Sequence, residues 1–184
     1  MDATGPRADD LTVCDLVDAL PDGVVTPLVT LLDETGAIDA DDLARLPALL
    51  AEHQPKLVIV SIGGNDFLRK LPESDTRTHV HAICKQALAA GAQVLLVGMR
   101  MPPNYGPEYT RGFEQNFSAL SRQYGTALLP FLLEPIALDR NAYQADNLHP
   151  VAAAQPLLAE QVLKALDALP PRRTRRATAL RGWR

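Results

Sequence analysis

From residue 43 onward, apolar β-branched runs alternate with stretches of helical period, and few folds accept that order. Lys56 to Ile62 reads KLVIVSI, Gln93 to Met99 reads QVLLVGM, and Ala127 to Phe131 is a third run. Continuous runs of this kind suit strands covered on both faces, and helices between them complete βαβ units around a parallel sheet. Leu43, Leu46, Leu49 and Leu50 share one helical face. Ser74 is placed to cap a second helix, whose buried side is Val80, Ile83, Cys84, Ala87 and Leu88 and whose stop is Gly91. Pro107 suits the first turn of a third helix, with Tyr109, Phe113, Phe117 and Leu120 as its stripe and Gly125 as its close. A last helix is expected from about Val151 to Leu169, with Leu158, Val162, Leu166 and Leu169 inward and Pro170-Pro171 as its stop. The fold class is α/β.

A chain of 184 residues with 47% hydrophobic content buries one sizeable core. The net charge of -4 conceals an asymmetry. Residues 1–44 carry eleven acids against Arg7 alone, whereas the segment after Pro171 carries six arginines and no acid. An atypical acidic segment over 1–28 opens the chain, and a basic, disordered tail over 170–184 closes it. Val24 to Leu32 is a further strand candidate, while Met1 to Gly23 shows no assignable element. A solvated tail is favoured over an arm for nucleic acid, so no nucleic-acid partner is expected.

Cys14 and Cys84 form neither a disulfide framework nor a zinc pattern, and Cys84 falls on an apolar helical stripe as a buried thiol. No apolar run reaches membrane-span length. The acidic start is unlike a secretory signal, so the chain as written is expected in the cytoplasm. It is periplasmic or secreted if its true N-terminus carries a signal peptide.

Open α/β sheets collect their chemistry at the carboxyl ends of the strands. Gly63-Gly64-Asn65-Asp66 follows the first run, and its glycines permit close approach while Asn65 offers an amide donor to an oxyanion. An ordinary Gly/Asn/Asp turn is the competing reading. Asp146-Asn147-Leu148-His149-Pro150 precedes the last helix, at a spacing that lets Asp146 accept from His149 Nδ1 while Nε2 faces a substrate. A capping aspartate with a packed histidine is the alternative there.

Taken together, Gly-x-Asn-Asp after an apolar strand and Asp-x-x-His-Pro before the last helix resemble the paired signature of SGNH (GDSL-type) hydrolases. LARLPALL at 43–50, MRMPPNYG at 99–106 and LLPFLLE at 128–134 look like connecting segments of the bacterial arylesterase, thioesterase I and lysophospholipase subgroup. The resemblance covers about 29–169. It implies a three-layer α/β/α, flavodoxin-like fold, a small acyl ester or thioester as substrate, and neither metal nor other cofactor. Asp146 and His149 match the family's acid and base, and Asn65 its oxyanion asparagine. Gly36 lands on a second oxyanion donor, with a turn glycine as the rival reading. Asn104 and Tyr105 would lie near the acyl group, although a turn at Asn104-Tyr105-Gly106 accounts for them too.

The family's Gly-Asp-Ser-Leu block is absent from the sequence. The only serines are Ser61, Ser74, Ser118 and Ser121: Ser61 reads as part of a strand, the others as helical, and none matches the family's nucleophile. Asp2-Ala3 and Cys14-Asp15-Leu16 are imperfect relics of the block. The expectation is a carboxylic ester hydrolase of unknown nucleophile whose first strand is missing or altered by a lost or misread N-terminus. The alternative is a catalytically inactive remnant that binds acyl chains or lipid. Neither the acyl preference nor the oligomeric state is legible.

Overall fold

The computed structural model describes residues 40–100 and 105–169. The acidic segment over 1–28, the strand expected at Val24 to Leu32, Cys14, Gly36, Asn104 and the basic tail lie outside the described residues.

Three strands, β1 (Leu57–Val60), β2 (Gln93–Val97) and β3 (Ala127–Leu129), pair in parallel in that order, with Leu57 opposite Gln93 and Leu95 opposite Ala127. The helices are α1 (Ala40–His53), the short α2 (Gly64–Leu68), α3 (Glu73–Ala89), α4 (Pro107–Tyr124) and α5 (Gln155–Asp167). Side chains alternate across the sheet. Val58, Val60, Val94 and Leu96 bury against Leu46 and Leu50 of α1, Val80, Ile83 and Ala87 of α3, and Phe113, Phe117 and Leu120 of α4. Leu57, Ile59, Leu95, Val97, Ala127 and Leu129 face the other way, against Val162, Ala165 and Leu166 of α5 and Leu169 beyond it. The result is the expected three-layer α/β/α arrangement, with both faces of the sheet covered. Among the described residues no strand precedes β1, which forms one edge of the sheet.

Several expected boundaries shift for identifiable reasons. The first run stops pairing at Val60, so Ser61 and Ile62 lie beyond the strand. The third stops at Leu129 because Pro130 has no N–H to donate to a ladder. Ser74 does not cap α3: Pro72 occupies that position, and the Ser74 hydroxyl donates instead to the Asp75 carboxylate at 3.2 Å. The last α-helix begins at Gln155, after a 3-10 turn over Ala152–Ala154. Pro156 suits a first helical turn but lacks the N–H that an upstream extension requires. The expected frame of α4 is met by Pro107 at its start and by Gly125, whose φ of 64° closes the helix in the left-handed region.

Candidate active site

Each chain segment leaving the carboxyl end of a strand contributes to one cleft. Ser61 comes from β1, Gly98 and Met99 from β2, and Phe131 and Leu132 from β3. Asn65 and His149 line the same cleft, which has a volume of about 870 Å³. A second hollow, about 730 Å³, sits near Pro47, Gln54 and Gly91, by the chain entering β1 and β2, and none of its lining side chains is ionisable.

Asn65 is positioned by the turn that leaves β1. Gly63 takes φ 102°, where a side chain is strained, and a Cβ there would stand 3.0 Å from Thr76 Cγ2. The chain then enters α2, with Asn65 exposed in its first turn, while Asp66 and Phe67 point inward. Buried Asp66 accepts a 2.7 Å hydrogen bond from the Thr76 hydroxyl, tying α2 to α3. Among the described residues no hydrogen bond engages the Asn65 side-chain amide, and Asn65 lines the cleft. The aspartate of the GGND segment is therefore a packing anchor, and the asparagine is the group that reaches the cleft.

His149 is carried by a loop folded back on itself. Tyr143 and Pro150 form an antiparallel bridge, Gln144 N–H donates to the His149 carbonyl at 2.8 Å, and Asn147 N–H donates to the Gln144 carbonyl at 2.9 Å. Asn147 takes φ 58°, a conformation that asparagine tolerates better than most residues. Within the loop, Asp146 Oδ1 accepts the N–H groups of Leu148 and His149 at 2.9 and 3.0 Å. Its Oδ2 lies 2.6 Å from His149 Nδ1. The side-chain hydrogen bond from His149, followed by the two backbone N–H groups, holds the Asp146 carboxyl down at about 2 from an ordinary 3.8. An ionised Asp146 requires Nδ1 to be the donor, which leaves Nε2 of a neutral ring as an acceptor.

The remaining wall is largely apolar. Tyr105 stacks obliquely on Phe67 at 4.3 Å between ring centroids, and Phe67 in turn meets Tyr109 and Phe113. Leu68, Leu138 and Leu148 are exposed large apolar side chains, and all three line this cleft. Arg100 at the rim pairs with Glu134 at 2.8 Å and lies over the Phe131 ring. Among the described residues no three His, Cys, Asp or Glu side chains gather as a metal-ligand group, and no helix is long and apolar enough to cross a membrane.

Of the residues singled out from the sequence, Asn65, Tyr105 and His149 line the cleft, and Asp146 stands behind His149. The exposed leucines and Ser61 were missed. Ser61 reads as a strand residue because KLVIVSI is unbroken, and only the register with β2 shows where pairing ends.

A three-layer α/β/α protein with an Asp–His pair and an asparagine along the carboxyl edge of its sheet is the class defined by this geometry. The profile of the GDSL-like Lipase/Acylhydrolase family matches residues 16–156, and the chain belongs to that family. It is 44% identical over 135 residues to Esterase TesA of Pseudomonas aeruginosa, covering 73% of this chain and 67% of that protein. It is 38% identical to Thioesterase 1/protease 1/lysophospholipase L1 of Escherichia coli K12, covering 73% of this chain and 65% of that protein. A crystal structure of TesA superposes with a TM-score of 0.66 at 45% identity, over 71% of this chain and 73% of that one. The chain thus spans about two thirds of the length of the curated relatives it matches.

Proposed function

We propose that this chain hydrolyses carboxylic esters, as an arylesterase, acyl thioesterase or lysophospholipase, by acyl transfer at the cleft beyond the strand ends. The observation that carries the reading is the 2.6 Å contact between Asp146 and His149 on a cleft that also holds Asn65. His149 Nε2 takes the proton of an attacking hydroxyl, Asp146 keeps the ring in the required tautomer, and the imidazolium so formed is stabilised by the carboxylate. The Asn65 amide donates to the oxyanion that develops on the ester carbonyl, and Gly36 N–H is the second donor. His149 then returns its proton to the leaving alcohol or thiol.

The apolar wall of Phe67, Tyr105, Phe131 and the exposed leucines suits a small acyl group. The proposed hydrolase unit spans 29–169. Hydrolysis of p-nitrophenyl acetate and butyrate and of a short acyl thioester by the purified chain tests the proposal, with Asn65→Ala and His149→Ala as controls. Turnover lost in both variants is the expected result, and a folded protein without turnover contradicts it.

The absence of a Gly-Asp-Ser-Leu block favours one second reading, an acyl- or lipid-binding protein that uses the same cleft without turnover. Saturable binding of a fluorescent fatty acid by a chain inert toward every ester is its signature.

A further inference from the structure

Three exposed leucines, Leu68, Leu138 and Leu148, line the one cleft that also holds Asn65 and His149. A lone leucine is ordinary on a protein surface, but three on the wall of one opening concentrate apolar area there. Leu138 is 99% exposed, and a fixed turn holds it out. Ile136 and Ala142, on either side of it, are buried with Ala154 and Leu158. Between those anchors the Asp139 N–H donates to the Ile136 carbonyl at 2.9 Å, and the Ala142 N–H to the Asp139 carbonyl at 3.1 Å. Leu148 is fixed by its own N–H, which donates to Asp146 Oδ1 at 2.9 Å, and Leu68 ends α2, the helix that carries Asn65.

Cations share this opening. Arg100 and Arg140 line the cleft, and none of the described residues lining it is acidic, although the chain as a whole carries a net charge of -4. Lys70, two residues past Leu68, places Nζ 5.8 Å from the ring centroid of Tyr105, another lining residue. The acids of the flanking segments are engaged: Glu134 pairs with Arg100, Asp146 with His149, and Asp139 Oδ1 accepts the Asn141 N–H at 2.9 Å. Among the described residues no ion pair engages Lys70 or Arg140. Long cationic side chains around exposed leucines complement an anionic lipid surface, where leucines enter the acyl boundary and cations stay with the headgroups. The exposed large apolar groups here are all leucines, whereas protein–protein contacts concentrate on Trp and Tyr.

We propose that the mouth of this cleft docks on an anionic lipid surface, with Leu68, Leu138 and Leu148 entering the acyl boundary and Lys70 and Arg140 lying among the phosphates. The contact is peripheral, made by side chains of three short segments. It turns Asn65 and His149 toward the lipid layer, so an acyl ester passes into the cleft without crossing water. What the docking delivers rests on the ester hydrolase reading, whereas the docking itself is measured without turnover.

The test uses the purified 184-residue chain and vesicles of ether-linked phosphatidylglycerol and phosphatidylcholine, which offer no ester to cleave. In a Cys14→Ala background, Leu138→Cys carries an environment-sensitive fluorophore, and Leu163→Cys, exposed on α5 outside the cleft, is the control. Circular dichroism verifies the fold of every variant. On adding vesicles, emission from position 138 should move to the blue and become shielded from iodide, while position 163 does not change. In the unlabelled chain, Leu138→Asp should weaken vesicle co-sedimentation at least about ten-fold and Arg140→Gln about five-fold. A label at 138 that stays open to iodide overturns the proposal, whether the chain remains free or is tethered by its arginine-rich C-terminus. Shielding that grows with protein concentration in the absence of lipid makes the patch an interface between copies and overturns it too. Turnover of p-nitrophenyl butyrate is followed in parallel. Turnover without docking overturns the docking alone, and docking without turnover overturns the hydrolase reading alone.

Discussion

Asp146 holds His149 in two ways at once: Oδ2 meets the ring Nδ1 at 2.6 Å, while Oδ1 accepts the backbone N–H of the same residue at 3.0 Å. The same carboxylate therefore sets both the path of the loop and the orientation of the ring. Asn147 at φ 58° makes the tight path possible. What this leaves free is Nε2, on a residue that lines the cleft.

The carboxyl of Asp146 titrates at about 2 in the folded chain, against an ordinary 3.8. The sign follows from the depression. Whatever the ionised carboxylate contributes to the loop is fully present above 3.8 and is lost as the pH falls toward about 2. Carbon-detected NMR of the Asp146 side chain should give that low midpoint, and His149→Ala should move it back up. A midpoint near 3.8 in the unsubstituted chain contradicts the contact. Asp146 is thus a carboxylate throughout any ordinary assay range, so an acid limb in the rate above pH about 4 belongs to another group.

Asn65→Ala removes the proposed oxyanion donor from an exposed position in α2. Turnover of p-nitrophenyl butyrate should drop about 100- to 1,000-fold, chiefly in kcat, with an unchanged melting temperature. A change confined to KM indicates that Asn65 only binds the ground state.

Thr76→Val deletes the hydrogen bond to buried Asp66 and should destabilise the fold by about 1–3 kcal/mol in a denaturant titration. Gly63→Ala should destabilise it as well, by at least about 1 kcal/mol, because φ is 102° and Thr76 crowds the new Cβ. Gly63→Ala also displaces Asn65, so its turnover should fall further than that of Thr76→Val. Equal losses of activity in the two variants contradict the positioning role of Gly63.

Burial pushes the Cys84 thiol up to about 11. In a Cys14→Ala background, Ellman's reagent should leave Cys84 unmodified in the native state and titrate it after denaturation. Rapid native labelling contradicts the packing of α3 on the sheet.

Much of this architecture was legible because periodicity and backbone chemistry act locally. The buried runs announce strands, and Pro107 and Gly125 frame α4 through constraints internal to each residue. The strand ends were not legible in the same way, since β1 stops where its pairing with β2 stops, and pairing is not written in KLVIVSI. For that reason Ser61 reads as a strand residue from sequence and lines the cleft in the structure. The Asp146–His149 contact was readable from a three-residue spacing. The exposed leucines of the cleft were not, because Leu68, Leu138 and Leu148 come from three unrelated segments that meet only in the fold. Asp66 shares GGND with Asn65 yet is buried against Thr76, a division of roles within one motif that only the fold displays.

The central claim is that Asp146 acts through His149 as one unit, and a double-mutant cycle on kcat/KM for p-nitrophenyl butyrate tests it most directly. His149→Ala alone should lose about a thousand-fold or more, and Asp146→Asn alone about 100- to 10,000-fold. The pair together should be no worse than His149→Ala, because the carboxylate has nothing left to orient. Losses that multiply in the double variant, or a His149→Ala chain that keeps its turnover, contradict the account.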